Sequence, residues 1–202
     1  MLSKARLAIT LSQLAVFDQP NADVEQYPMD SEIGAEVLWN AYLNGDIEGK
    51  VIADLGCGTG ILGIGALLLG AAKVFFVESD PAVIPILQKN LDGQGGYQII
   101  EGEVHTFAEN VDTVIQNPPF GTRRTHADRE FLTQAFRISP VVYSFHKATS
   151  AAFLQAFSAD CGFSTAGRWE FDFPIKMSQL FHRKSIHRIK VGCWKFVKDT
   201  KR

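Results

Sequence analysis

The stretch KVIADLGCGTGILGIGALLLG, residues 50–70, joins three kinds of sequence without a spacer. Its first part, KVIADLG (50–56), is a short apolar run ending in glycine and reads as a buried strand. ILGIGALLLGA (61–71) is apolar almost throughout and long enough for a buried helix. Between them, Gly56, Gly58 and Gly60 remove side chains where the chain has to turn sharply and where a ligand could approach the backbone. Strand, glycine turn and helix in that order open an α/β fold, with free helix N–H groups facing a ligand at the strand's carboxyl end. Alone, the turn could be only a tight connection, so its neighbours decide.

Outward from it, the alternation continues. Leu7, Leu11 and Leu14 mark a helix within 3–16, and Ile33, Val37, Leu38 and Tyr42 mark another over 31–43, capped by Ser31. After the glycine turn come a strand at 73–80, a helix over 81–91, strands at 97–104 and 111–117, and a fifth at 141–147. Strands alternating with helices predict an α/β fold with a doubly wound, mostly parallel sheet. A length of 202 residues with 46% hydrophobic and 21% charged content suits one structural domain. Residues 1–48 are expected to pack on a core formed by 49–202.

Charge and cysteine content exclude several classes. A net charge of −2 gives no global basic field, so nucleic-acid contacts would come from local patches. Cys57, Cys161 and Cys193 are odd in number and lack a CxxC pair, which argues against a disulfide framework or a zinc site and fits a reducing cytoplasm. Lys4, Arg6, Gln13 and Asp18 interrupt the apolar residues of the N-terminus, and no run approaches a membrane span.

The turn carries its own chemical signal. A dinucleotide turn reads G-x-G-x-x-G, whereas residues 56–60 read G-x-G-x-G after the acidic Asp54, which would repel a pyrophosphate. Asp54 suits a cationic ligand such as the sulfonium and ammonium groups of S-adenosylmethionine. Glu78 ends the next strand, where a carboxylate can accept hydrogen bonds from a ribose diol. With D-x-G-x-G-x-G at 54–60, the chain resembles the class I S-adenosylmethionine-dependent methyltransferases. The resemblance implies a seven-stranded Rossmann-like sheet. It also implies a cofactor lined by Asp54, Gly56, Gly58, Thr59, Gly60 and Ile61, with Glu78 on the ribose and Glu103 and Val104 near the adenine.

DTVIQNPPFGT (112–122) sets two prolines directly after an apolar strand. Proline has no N–H and a fixed φ, so Pro118 and Pro119 end the ladder and hold Asn117 and Phe120 in a stiff, extended turn. In the amino-methyltransferases of this class, N-P-P-[FYW] after the fourth strand binds a planar amino group, and NPPF at 117–120 matches. The resemblance implies that the Asn117 side-chain oxygen and the Pro118 carbonyl accept the amine's two hydrogens. Pro119 then stiffens the turn while Phe120 stacks on an extruded base. Asn117 would also border the cofactor.

EQYP (25–28), YSFHK (143–147) and FHRKS (181–185) extend the likeness to adenine-N6 RNA methyltransferases, including the eukaryotic 18S ribosomal RNA enzymes and their archaeal relatives. This implies methylation of adenine N6 in structured, small-subunit ribosomal RNA, with Gln26 and Tyr27 closing over the cofactor. It also implies a small zinc-binding activator pairing with a sheet edge. Met29 stands where the eukaryotic relatives carry threonine, and Glu78 replaces the commoner aspartate. Methylation of a protein glutamine amide, methylation of DNA adenine and an inactive cofactor-binding scaffold are the alternatives. For RNA, Arg123 and Arg124 lie in TRRTHADRE (122–130), read as a mobile loop, and Arg183 and Lys184 lie in the basic run 176–190. His146 and Lys147 end the fifth strand. The basic run and the strand end are each open to a second reading, as ordinary solvated surface or a satisfied strand end.

Overall fold

The computed structural model describes residues 2–17, 28–119, 127–176 and 186–200. Two helices come first, α1 (Lys4–Ser12) and α2 (Ser31–Leu43). Ser3 caps α1 through the Arg6 N–H. Asp30, not Ser31, caps α2, because one of its carboxylate oxygens reaches the N–H groups of both Glu32 and Ile33.

The sheet follows. β1 (Val51–Leu55), β2 (Lys73–Glu78), β3 (Tyr97–Glu101), β4 (Thr113–Gln116) and β5 (Val141–Lys147) pair in parallel. β6 (Phe163–Lys176) and β7 (Ile186–Lys198) pair antiparallel, and β7 lies antiparallel against β5. The seven strands run in the order β3-β2-β1-β4-β5-β7-β6. The helices α3 (Ile61–Leu68), α4 (Ile84–Asn90), α5 (Ala127–Ile138) and α6 (Ala151–Asp160) connect them. The expected third strand stops at Glu101, and Val104–Thr106 form a short 3-10 turn in which Thr106 bonds the Glu103 carbonyl through both its N–H and its hydroxyl. From residue 127 the expected loop is helix. None of the described helices is long and apolar enough to cross a membrane.

Both faces of the sheet are covered. Leu7 and Leu11 of α1, Val37 and Leu38 of α2 and Ile64 of α3 pack over Ile52, Phe76, Ile115 and Phe145. On the other face, Leu132 and Phe136 of α5 and Leu154 of α6 cover Leu55, Val77, Val114 and Phe196. Met29 is buried in the first of these cores, so an apolar side chain is packed at the position just before the α2 cap. At the amino edge, one Asp46 carboxylate oxygen receives both the Tyr143 hydroxyl and the Lys195 ammonium at 2.6 Å, tying the α2–β1 connection to β5 and β7. At the opposite edge, β6 and β7 continue past the Lys147–Val191 pair as a two-stranded ribbon as far as Lys176 and Ile186.

α3 lies close to β2 because it has glycine where the two meet. A Cβ on Gly63 would sit 2.3 Å from Phe76 Cε1 and 3.0 Å from Asp54 Oδ2, and Phe76 is fully buried. Gly63→Ala should therefore destabilise the protein. Overpacking costs about 1–3 kcal/mol, which exceeds the ~1 kcal/mol that alanine contributes through helix propensity. Urea unfolding should show the loss; a more stable variant would mean that Phe76 can move aside.

Candidate active site

The strand order reverses between β1 and β4, and the carboxyl ends of β1, β2 and β4 meet there. That crevice is where open α/β sheets bind ligands. Gly56, Gly58 and Gly60 all have positive φ, at 64°, 54° and 90°, a backbone conformation that L side chains rarely adopt. The turn is fixed at its base by the Cys57 N–H bonded to the Val77 carbonyl, 3.0 Å, and by the Gly60 N–H bonded to the Cys57 carbonyl, 2.9 Å.

Two carboxylates hold the turn from either side. Asp54 Oδ2 accepts the Gly63 N–H at 2.8 Å, and with 1% of its surface exposed the side chain is drawn under the turn to α3. The sequence expectation placed Asp54 against the cofactor. The structure assigns it first to the helix, because Gly60 at the N-cap has no side-chain acceptor for the orphan N–H groups. Glu78 Oε2 accepts the Gly58 N–H at 2.8 Å, and Oε1 accepts the Ser79 and Asp80 N–H groups at 2.9 Å. Burial pushes the carboxyl of Asp54 up to about 7 and that of Glu78 above its ordinary range, although backbone donors oppose the shift in both. The charge of Glu78 raises Asp54 further. Among the described residues no cation pairs with either acid.

Asn117 follows β4 directly. Its Oδ1 is buried without a hydrogen-bond partner among the described residues, and Pro118 beside it is buried. Beneath it lies a buried polar chain: Gln116 Nε2 donates to Ser144 Oγ at 2.9 Å, and Ser144 Oγ lies 2.7 Å from His146 Nε2. Gln116 Oε1 is likewise buried and unpartnered. None of these three supporting residues had been expected in that role, and only His146 had been singled out at all. His146 is corrected. At 2% exposure it is internal, and burial pushes it down to about 3, so it is neutral and contacts no phosphate.

The other expected residues divide. Thr59 and Val104 are buried and Ile61 is half-buried, all at the carboxyl edge, while Glu103 is exposed. Lys147 is half-buried at the end of β5. Lys190, in the basic run, pairs with Asp172 across the ribbon at 2.9 Å. Gln26, Tyr27, Phe120, Arg123, Arg124, Arg183 and Lys184 lie outside the described residues.

S-adenosylmethionine fits this donor set. Glu78 Oε2 keeps a lone pair for a ribose hydroxyl, and two acids that no cation among the described residues pairs with suit a cationic ligand.

The pattern that defines the methyltransferase small domain matches residues 29–138. An uncharacterised protein of Methanocaldococcus jannaschii is 32% identical over 98% of this chain and 95% of its own. The rRNA N(6)-adenosine-methyltransferase Mettl5 of Drosophila melanogaster is 32% identical over 89% of each chain. A crystal structure from Pyrococcus horikoshii, provisionally named as an RNA methyltransferase, is 46% identical and superposes with a TM-score of 0.93 over 99% of this chain and 100% of its own. The chain belongs to the methyltransferase small-domain family, and its cofactor is S-adenosylmethionine.

The position of Asp54 has a pH signature. The folded state keeps Asp54 protonated where the unfolded chain ionises it, so between about pH 4 and pH 7 the native state binds the extra proton. Its contribution to stability is then lost as pH rises through that window. Asp54→Asn keeps an acceptor for Gly63 and removes the titration. Urea unfolding should show the wild type losing stability relative to this variant from pH 4 to pH 7 and levelling off above; parallel curves would exclude the shift.

Proposed function

We propose that this S-adenosylmethionine-dependent methyltransferase methylates N6 of adenine in structured RNA, of the small-subunit ribosomal class. The observation that carries the reading is the buried, unpartnered Oδ1 of Asn117 at the end of β4, beside the glycine turn. A buried acceptor left unpaired costs free energy, about 1–3 kcal/mol, unless a ligand supplies the donor. An exocyclic amine does so: one N–H to Asn117 Oδ1 and one to the Pro118 carbonyl. The Drosophila and zebrafish relatives, named as rRNA N(6)-adenosine-methyltransferases, support adenine as its bearer.

The chemistry asked of the chain is modest. S-adenosylmethionine, when bound, supplies a methyl group on a sulfonium, so that the N6 lone pair forms the new C–N bond while the C–S pair leaves with sulfur. Asn117 and Pro118 hold both hydrogens and draw the nitrogen out of conjugation, and both acceptors bind more strongly as the nitrogen becomes cationic. The methylated nitrogen then releases a proton. Phe120 supplies a stacking face for the base. Glu78, Glu103 and Val104 hold the ribose and adenine of the cofactor, and Gln26 and Tyr27 close over it.

The β6–β7 ribbon projects at the same edge as Asn117, which suits it to an RNA backbone, with Arg183 and Lys184 in the segment it carries and Arg123 and Arg124 after the NPPF turn. Among the described residues β3 ends the sheet and pairs only with β2, so its open side suits a small zinc-binding activator that adds a strand. Three free cysteines fit a cytoplasmic protein.

Asn117→Ala should lower the methylation rate ~10²-fold or more, because the lost acceptor works chiefly in the transition state, while affinity for S-adenosylhomocysteine holds. Transfer of labelled methyl to ribosomal RNA, DNA and a release-factor protein, assayed in parallel, identifies the substrate. Label on DNA or protein alone, or an Asn117→Ala rate equal to wild type, overturns the reading.

A further inference from the structure

The segment after α1 is held to the cofactor turn by one side chain. Asn90, the last residue of α4, uses every hydrogen-bonding atom of its carboxamide. Its Oδ1 accepts the Ala15 N–H at 2.8 Å, and its Nδ2 donates to the Ala15 carbonyl and the Thr59 carbonyl, both at 2.9 Å. It thus joins residues 75 positions apart in the chain and reaches the glycine turn with its remaining N–H. Two residues beyond Ala15, Phe17 is half-buried, and its Cζ lies 3.2 Å from where a Cβ on Gly58 would sit. Gly58 is the residue whose N–H is bonded to Glu78. The base of this arrangement is firm, since Leu7, Ala8 and Leu11 of α1 are buried against the core.

We propose that Phe17 is a wall of the S-adenosylmethionine site and that Asn90 is the positioning residue that sets it there. An aromatic ring over a glycine backbone excludes water from the Glu78 side of the turn, where the ribose hydroxyls bind, and strengthens those hydrogen bonds. Asn90 acts through Phe17: the three bonds fix the backbone two residues before the ring and lock it to the same turn that binds the cofactor. An alanine at position 90 frees the segment, and the ring loses its register. An aspartate is the same size but offers no N–H, and it turns a carboxylate toward two carbonyls. The inference rests on the assignment of the cofactor site and adds to it two residues that the glycine motif does not contain.

Calorimetry with S-adenosylhomocysteine tests it. If the wild type fails to bind, the cofactor assignment falls, whatever the variants do. If it binds, N90A, N90D and F17A should each weaken the affinity about tenfold, and the double variant F17A/N90A should be no worse than either single one. Hydrogen exchange without ligand supplies the second reading: the Ala15 amide should lose protection in N90A and keep it in F17A. An F17A affinity within twofold of wild type, or a double variant whose loss is the product of the two single losses, overturns the proposal. So does an N90A or N90D protein that exposes the Ala15 amide yet binds the ligand as wild type does.

Discussion

The bond from the Gly63 N–H to the Asp54 carboxylate is the constraint on which the cofactor turn depends. A turn built from glycines can approach a ligand but has no side chain with which to hold itself. Gly60 opens α3 without a capping oxygen, so the first helical N–H groups would be left unpaired in an apolar setting. Asp54 meets that need from within β1. The cost is a carboxyl with 1% exposure whose charged form burial disfavours, and the Gly63 N–H offsets part of it. Glu78 supplies the matching grip from β2. The turn is therefore clamped by β1 and β2, on one side of the crevice between β1 and β4, and the ligand meets a surface already formed.

The same economy operates at β4. Polar residues in a central strand have to be satisfied or used. Gln116, Ser144 and His146 form a connected chain on one face, each strand contributing residues of one parity, since Gln116 lies opposite Ser144 and His146 follows two positions on. A neutral His146 keeps that chain free of buried charge. The chain stiffens the strand end that carries Asn117, whose own oxygen is left for a ligand.

Much of this was legible in residues 50–80, where a β-branched run, spaced glycines and a second strand follow without interruption. The ends of elements were less so. The α2 cap moved to Asp30 because either residue could serve and only geometry shows which oxygen reaches the N–H groups. α5 was hidden behind its polar first turn, although Phe131, Leu132, Ala135 and Phe136 carry a helical spacing that could have revealed it. β6 likewise shows alternation at Trp169, Phe171 and Phe173. The direction of Asp54 was not legible: the motif places an acid before the glycines and does not say whether it faces ligand or helix. His146 was misread for a similar reason, since a histidine at a strand end looks the same in sequence whether a neighbouring strand covers it or not. Asn90 and Phe17 carry no motif and become visible only when segments far apart in the chain are seen together.

The strand order also constrains how the chain assembles. β7 lies inside the sheet, between β5 and β6, whereas β6 and β7 pair with each other through a local register. The hairpin can form early as a unit, and the slower step is its docking on β5. Until then β5 is an unpaired edge displaying Tyr143 and Phe145, both fully buried in the native state. A molecule whose hairpin has not docked leaves that edge of β5 open to pairing with another chain, a route to aggregation that the native strand order closes.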